Sequence, residues 1–324
     1  MRLLILRIFL VMLAAAGALL VLSHHHRASS TALPSPPVRH DCVTVPHACG
    51  FPDATNSGVP AGLSLKTVPG QVSSGPGWTS SADGSVQVTG NGAVLSGLYI
   101  PGGLDISASN VVLKDDRIVT GGAYGVSLRH TTGVMVKNCT VSGADAAAGR
   151  VGAAIADLYG DSTGTVIQGN DISAFRSAVQ VSAGLVTGNY IHAPGYIAGD
   201  HTNGVIADGG SGPLTIYHNT ILNNLSQTDA ISINTMNIAG PVMNKIIEDN
   251  LLAGGGYPIY GGTAFGHATS GILIENNRFA QAFYPKGGQF GPVAYFNPSG
   301  KGNVWSGNAW IRTGQAIPAP QPRT

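Results

Sequence analysis

A short pattern of apolar and polar positions recurs along most of the chain. It runs apolar, polar, polar, Asn, any residue, apolar. Its clear copies are Ile167–Ile172, Val186–Ile191, Ile216–Ile221, Ile247–Leu252, Ile274–Phe279 and Trp305–Trp310. Weaker copies, in which another residue takes the fourth position, lie at Leu95–Ile100, Leu113–Ile118 and Val136–Val141. The mean spacing is about 26 residues, and a period of roughly 20 to 50 residues indicates stacked repeats.

Each copy predicts two short strands joined by a sharp bend. The copies are too short for helices, their Val and Ile alternate as in half-buried strands, and Asn tolerates the left-handed conformation that a tight bend needs. A further apolar strand follows most copies, at Gly125–Leu128, Ala154–Leu158, Ala178–Val181, Gly204–Ala207, Ala230–Ile233, Pro258–Tyr260 and Pro292–Phe296. We therefore predict an all-β fold, a single-stranded right-handed parallel β-helix of about nine coils. A propeller would need blades of about 40 residues with four strands each, and a β-sandwich would not keep the Asn in phase.

The fourth position of each copy is expected to form a ladder inside the stack. Its members are Leu98, Asp116, Cys139, Asn170, Asn189, Asn219, Asn250, Asn277 and Asn308. Side-chain amides at one corner of successive coils can bond to each other, which satisfies polar groups turned inward. At this position Cys139 is expected to be a buried free thiol.

Composition agrees with an exported solenoid. The chain has 324 residues with 46 Gly, only 10% charged residues and a net charge of +1. Without a basic run, nucleic acid is not an expected partner, and we expect a monomer. Residues 1–30 predict a signal peptide, or an uncleaved membrane anchor, because Arg2 and Arg7 precede the apolar run Ile8–Leu22. We expect a secreted, extracellular protein with a Ser/Pro-rich spacer at 31–48, a β-helix domain at 49–312 and a flexible tail at 313–324.

Cys42 and Cys49 are close together, and in an exported chain they could close a small disulfide loop over the first coil; two free thiols are the alternative.

Stacking brings residues that are distant in sequence into columns. We align the second strands on Val126, Ile155, Val179, Val205, Ile231, Ile259 and Val293. In the column two positions before this alignment, Asn203 and Asp229 become neighbours. Arg176 lies three positions before the alignment, on the coil that precedes the coil of Asn203. Polar groups therefore concentrate around the coils that carry Arg176, residues 200–208 and residues 229–234. The long segment Tyr190–Asn203 leads into the same region, and such loops commonly carry function.

The candidate catalytic residues are Asp200, His201, Asp229 and Arg176. His201 or Asp200 would handle a proton, and Arg176 would neutralise a uronate carboxylate through two hydrogen bonds. The candidate substrate-binding residues are Asn203, Asp208, Gln180, Asn234, Tyr260 and Lys286. Tyr257, Tyr260, Tyr284 and Phe290 would either stack on sugar rings or cover the stack. His218, within a ladder copy, is interpreted as structural.

Three other interpretations of the region remain open. Asp200, Asp208, Asp229 and the Asn203 carbonyl would suit Ca²⁺ as a cofactor, and the sequence leaves open whether a metal is required. The same groups could instead tie down a long loop, and Arg176 could form a surface ion pair. Asp200 and Asp229 could also serve a hydrolase, in which their separation would decide retention or inversion.

Several stretches resemble one protein group. These are Cys49–Gly62, Gly199–Gly204, Ile216–Leu222, Leu251–Gly262, Phe283–Tyr295 and Val304–Trp310. They are similar to exported, mostly actinobacterial right-handed parallel β-helix repeat proteins of the pectin-lyase-like superfamily. The resemblance implies polysaccharide lyases, hydrolases, epimerases or noncatalytic glycan binders. It also implies an acid at the position of Asn203, and this departure weakens a catalytic role there.

The sequence thus predicts a carbohydrate-active protein whose partner is an extracellular polysaccharide. A polysaccharide lyase is favoured, with a glycoside hydrolase as the variant within that class. The alternative from another class is a noncatalytic glycan-binding or cell-surface β-helix protein, since one fold hosts many functions.

Overall fold

The chain folds as a parallel β-solenoid of about seven turns, in which three sheets enclose an apolar core. The computed structural model describes residues 41–144, 152–207, 210–233, 241–266 and 268–321. Among these residues no helix is long and apolar enough to cross a membrane. The proposed signal segment and the spacer up to residue 40 lie outside the described residues.

A complete turn contributes one strand to each sheet, and further strands lie at the two ends of the stack. Sheet 1 contains β1 (Lys66–Thr67), β6 (Leu98–Ile100), β9 (Arg117–Thr120), β12 (Thr140–Gly143), β15 (Asp171–Ser173), β18 (Tyr190–His192), β21 (Thr220–Asn223), β24 (Leu251–Gly254), β27 (Arg278–Phe279) and β30 (Ala309–Trp310). Sheet 2 contains β2 (Ser74–Gly75), β3 (Trp78–Ser80), β4 (Val86–Val88), β7 (Leu104–Ile106), β10 (Tyr124–Leu128), β13 (Ala153–Asp157), β16 (Ser177–Gln180), β19 (Asn203–Ile206), β22 (Asp229–Ser232), β25 (Ile259–Tyr260) and β28 (Val293–Ala294). Sheet 3 contains β5 (Val94–Ser96), β8 (Val112–Lys114), β11 (Met135–Lys137), β14 (Val166–Gln168), β17 (Gly184–Thr187), β20 (Leu214–Tyr217), β23 (Val242–Glu248), β26 (Thr269–Glu275) and β29 (Val304–Ser306).

All nine copies of the sequence pattern mark the corner between sheet 3 and sheet 1. The weak copy at Leu95–Ile100 joins β5 to β6, and the last copy at Trp305–Trp310 joins β29 to β30. The number of turns is nevertheless about seven rather than nine. Within the described residues no sheet 2 strand follows β30, so the last copy does not complete a coil.

The Asn ladder is continuous from Asn170 to Asn308. Each amide nitrogen donates to the next side-chain oxygen at 2.9–3.0 Å, through Asn170, Asn189, Asn219, Asn250, Asn277 and Asn308. The earlier members fit the same column, because Leu98 N–H donates to Asp116 Oδ1 at 2.8 Å and Cys139 N–H donates to Asn170 Oδ1 at 2.8 Å. Cys139 is buried and free, as predicted, and burial raises the pKa of its thiol.

The core contains the charged side chain of Lys245, whose burial the repeat pattern does not predict. Lys245 is 0% exposed and pairs in register with the buried residues Leu214 and Ile272. Its Nζ donates to the carbonyl oxygens of Ser182 and Gly212, which offsets part of the cost of burial. Burial lowers the pKa of Lys245 to about 8.

Residues 41–62, hereafter the strap, pack on the outside of sheet 1. The Cys42–Cys49 disulfide is formed, with the Cα atoms 5.7 Å apart. Val43 and Phe51 join a buried apolar cluster with Leu222, Leu251, Ala253 and Ala280. The expectation that this loop covers the first coil is therefore wrong, because its apolar side chains meet later coils instead. Residues 41–48, which the sequence analysis assigns to the spacer, belong to this packed segment.

Polar contacts fix the strap along its length. Asp53 accepts hydrogen bonds from the backbone N–H groups of His47 and Thr55 and from the Thr55 hydroxyl. These bonds outweigh the effect of burial and hold the pKa of Asp53 at about 2. The Phe51 ring stacks on His218, whose Nδ1 lies 2.8 Å from Asp249 Oδ2. His218 thus takes part in a structural contact.

The two ends of the stack are closed by different devices. At the start, β2, β3 and β4 form antiparallel pairs, with Trp78 buried beneath them. At the end, Ile317 is 5% exposed in the core and its carbonyl accepts a hydrogen bond from Trp305 Nε1. Within the segment that the sequence analysis assigns to a tail, Ile317 thus packs on the last coil.

Candidate functional site

The register of sheet 2 places the candidate residues as the column alignment predicts. The paired column is Val126, Ile155, Val179, Val205, Ile231, Ile259 and Val293. Two positions earlier, Ser177 pairs with Asn203 and Asn203 pairs with Asp229. One position later, Gln180 is followed across the sheet by Ile206, Ser232 and Tyr260. The stacking of short strands alone brings these residues together.

Asn203 and Asp229 are in direct contact. With its nitrogen oriented toward the carboxyl group, the Asn203 amide donates to Asp229 Oδ2 at 2.9 Å. Asp229 is 1% exposed, and burial raises the pKa of its carboxyl group well above the ordinary value of 3.8. Its proton is therefore retained to a higher pH than that of a solvated aspartate. Because the side chain is buried, a substrate does not reach the Asp229 carboxyl group in this conformation.

A second amide, which the sequence did not single out, organises the loop before Asp229. Asn223 is buried, and its Nδ2 donates to the carbonyl oxygens of Thr202, Gln227 and Asp229. Thr202 is 0% exposed and donates from its hydroxyl to the Gln227 carbonyl at 2.8 Å. These bonds hold residues 224–228 against the coil that carries Asn203.

The Asp200-His201 pair separates into a buried and an exposed residue. Asp200 is 4% exposed, and its Oδ2 accepts the backbone N–H of Ile197 at 3.1 Å. That bond belongs to a turn and supports the interpretation in which Asp200 ties down its loop. His201 is exposed, and among the described residues no hydrogen bond involves its ring. Its role as a base remains a prediction.

Arg176 lies beside the buried pair through its backbone. Its carbonyl accepts the Asn203 N–H at 2.8 Å, and its side chain is partly buried. Nε of Arg176 is buried without a hydrogen-bond partner within the described part of the chain. Lys286 is exposed in the loop before β28. Asp208 and Asn234, both predicted to bind substrate, lie outside the described residues.

The described part of the predicted calcium ligand set does not form a metal site. Within the described ranges, no group of three or more His, Cys, Asp or Glu residues could hold a metal ion. The predicted set included Asp208, whose position is not described, and both Asp200 and Asp229 are buried.

A groove lies next to Tyr260, two coils beyond Asn203. Its volume is about 250 Å³, and it is lined by Ser226, Gln227, Thr228, Gly256, Tyr260, Gln289 and Phe290. We call these seven residues the aromatic groove. They come from three segments that are separated by up to 64 positions in the chain, and none of them carries a formal charge.

Backbone contacts hold the walls of the aromatic groove. The N–H groups of Gln289 and Phe290 donate to the carbonyl oxygens of Gly255 and Gly256, each at 2.9 Å. A Cβ atom added at Gly256 would lie 3.4 Å from the Tyr260 hydroxyl and 3.5 Å from Phe290 Cδ2. Glycine at this position therefore leaves the floor between the two rings open.

The rings around the groove support each other. Tyr257 meets Tyr260 edge to face at 5.6 Å and meets Phe290 at 5.8 Å, and Tyr260 stacks on Tyr295 at 5.7 Å. Phe290 is 61% exposed. Sequence reasoning identified the aromatic residues but missed Ser226, Gln227, Thr228 and Gln289. The run Ser226–Thr228, polar and placed just before a sheet 2 strand, was the available signal.

No described protein family matches the chain, and no curated protein matches it. The function must therefore be argued from the fold and from the sites themselves.

Proposed function

We propose that this protein binds a neutral polysaccharide and that the aromatic groove is the contact site. The observation that carries the proposal is the groove itself, in which the exposed ring of Phe290 and the half-buried ring of Tyr260 lie beside hydroxyl and amide groups without a formal charge. A pyranose ring offers an apolar face to an aromatic ring and hydroxyl groups to amides and hydroxyls. The groove lining matches both requirements.

The uncharged lining favours a binding protein over the lyase that the sequence favoured. Binding of a polyuronate needs cations near the carboxylates, and the groove provides none. A lyase remains the second candidate because Arg176 Nε is buried without a described partner, which suits a carboxylate ligand. The hydrolase variant has less support, since Asp200 and Asp229 are both buried.

Export to the cell exterior is part of the same proposal. The Cys42–Cys49 disulfide supports it, because disulfides persist mainly in oxidising compartments. A place in the pectin-lyase-like superfamily is likewise proposed. It is supported by the parallel solenoid with its Asn ladder, a fold that occurs with many functions.

Titration of residues 31–324 with an array of neutral and uronate-containing oligosaccharides tests the binding proposal. We expect at least one neutral hexasaccharide to bind and Phe290→Ala to weaken it by about tenfold or more. Gly256→Val should have a similar effect, because its side chain would enter the space between Tyr260 and Phe290. Tyr217→Ala is the matched control, since Tyr217 is exposed on sheet 3.

Loss of binding in the Tyr217 variant as well, or no binding by the wild type, would contradict the proposal. The same samples distinguish the lyase candidate when ultraviolet absorbance and reducing ends are followed together. Unsaturated products from a polyuronate that disappear with Arg176→Gln and His201→Ala, while thermal stability is kept, would favour the lyase.

A further inference from the structure

A second group of polar and aromatic side chains lies on three earlier coils. Asp105 belongs to β7, Arg129 and His130 follow β10, and Tyr159 and Asp161 follow β13. We call these five residues the corner cluster. They meet where sheet 2 leads into sheet 3, and the aromatic groove does not include any of them.

The corner cluster holds an exposed aromatic ring in a fixed position. The Tyr159 ring stacks on His130 with 4.1 Å between the ring centroids and 15° between the planes. Arg129 Nη1 donates to the Tyr159 hydroxyl at 3.2 Å, and Arg129 Nε donates to Asp105 Oδ1 at 2.6 Å. His130 Nδ1 lies 2.6 Å from Asp161 Oδ2. Every member therefore has at least one contact that orients it.

Stability does not account for this arrangement. Tyr159 is 56% exposed, and the side chains of His130 and Asp161 are 63% and 52% exposed. Ion pairs this exposed add little to the free energy of unfolding, and an exposed aromatic ring buries little area. In addition, His130 adopts a left-handed backbone conformation with φ of 53°, which is uncommon for a residue other than glycine.

We infer that the corner cluster is a second carbohydrate site, one that takes a single pyranose unit or a short neutral oligosaccharide. This inference rests on the proposed function. Tyr159 supplies a flat apolar surface, Arg129 donates to sugar hydroxyls, and Asp105 and Asp161 accept from them. The Tyr159 hydroxyl accepts from Arg129, so its own hydrogen is available to a ligand. Because the side chains are oriented in advance, little conformational entropy is lost on binding.

The corner cluster and the aromatic groove are separate for short ligands. Four coil intervals lie between β13 and β25, which corresponds to about 20 Å at about 4.8 Å per coil. Among the described residues of sheet 2 between them, Ala156 is 0% exposed and Ser232 is 4% exposed, so these strands do not present an unbroken row of exposed side chains. A trisaccharide therefore contacts one site or the other, whereas a long polymer or two chains can contact both. Two sites on one rigid body would raise the affinity for polymers by avidity.

Isothermal titration with the neutral trisaccharide that binds best in the array tests the second site. We expect a stoichiometry of two for the wild type and of one for Tyr159→Ala, and the remaining site should be lost on Phe290→Ala. Tyr159→Ala should also weaken binding to the parent polysaccharide by about tenfold or more. Arg129→Gln is the second variant, since it keeps the ring but removes the donor, and Tyr217→Ala is the control.

The possible failures are distinguishable. If the wild type binds no glycan, the proposed function itself is wrong. If the stoichiometry is one and is abolished by Phe290→Ala but unchanged by Tyr159→Ala and Arg129→Gln, the aromatic groove stands and the corner cluster is only structural. A fall in the unfolding temperature of Tyr159→Ala together with unchanged stoichiometry would lead to the same conclusion.

Discussion

A single residue of the ladder makes the stability of the protein depend on pH. Asp116 occupies a position that later coils fill with Asn, and it is 0% exposed. Burial, with a smaller contribution from the nearby Asp115 charge, raises the pKa of Asp116 to about 7. Hydrogen bonds from the N–H groups of Leu98 and Lys114 oppose this rise but do not cancel it.

Replacing Asp116 with Asn should stabilise the protein at pH 8 and change little at pH 4. Below about pH 4 the folded and unfolded states both bind the proton. Between about pH 4 and 7 only the folded state retains it, so wild-type stability falls as the pH rises through this window. The full loss is about 4 kcal/mol, and the amide should restore about 2–4 kcal/mol of it. Chemical unfolding of both proteins from pH 4 to pH 8 measures the difference. If the free energies of unfolding of the two proteins differ by the same amount at every pH, Asp116 is not the source of the pH dependence.

At the scale of the element, the ladder holds each corner between sheet 3 and sheet 1 to the next. Asn250 Oδ1 accepts from the backbone N–H and from the amide of Asn219, and its Nδ2 donates to the Ile216 carbonyl. The polar groups that form hydrogen bonds with Asn250 are buried, so water cannot take the place of its amide if the side chain is removed. The preceding corner residue, Asp249, has a φ of 53°, and the equivalent position is a glycine on several other coils.

Asn250→Ala is expected to lower the free energy of unfolding by about 2–4 kcal/mol, because buried donors and an acceptor lose their partner. Asn276→Gly is the matched control. It changes an exposed corner residue with a φ of 57°, which glycine adopts without strain, so its effect should stay within about 1 kcal/mol. Denaturant unfolding compares the two variants. Equal losses would mean that the corner as a whole, rather than the ladder, supports the fold.

At the scale of the molecule, the strap connects coils that are distant in sequence. Gly58 N–H donates to the Gly169 carbonyl and Val59 N–H donates to Thr140 Oγ1, whereas Phe51 meets the coil of His218. The strap therefore spans several turns on the outside of sheet 1. It covers an apolar surface that includes Leu222, Leu251 and Ala280.

Phe51→Ala should detach part of the strap and lower the free energy of unfolding by about 3 kcal/mol, since Phe51 is 6% exposed in an apolar cluster. Limited proteolysis should then cleave residues 52–65 faster than in the wild type. Phe290→Ala serves as the control for stability, because its ring is exposed. Unchanged proteolysis in Phe51→Ala would mean that the disulfide and the Asp53 contacts hold the strap without the ring.

Prediction from sequence was most complete where the repeat applies and least complete in the irregular segments. The contact between Asn203 and Asp229 followed from strand register, since equivalent residues of adjacent coils must lie beside each other. The burial of Asp200 did not follow, because it depends on the conformation of a loop outside the repeat. The shared position of Gln289 and Thr228 did not follow either, because the two residues reach the aromatic groove from different loops.

The sequence by itself determined the solenoid, the Asn ladder, the register of sheet 2 and the buried state of Cys139. All of these depend on a local period that each coil repeats, so a few residues specify every layer. Only the tertiary structure decided where the strap lies, how the ends close and which side chains share the aromatic groove and the corner cluster. These features arise where irregular segments of different length fold onto the regular stack. Their positions depend on contacts between residues that do not occupy equivalent places in the repeat.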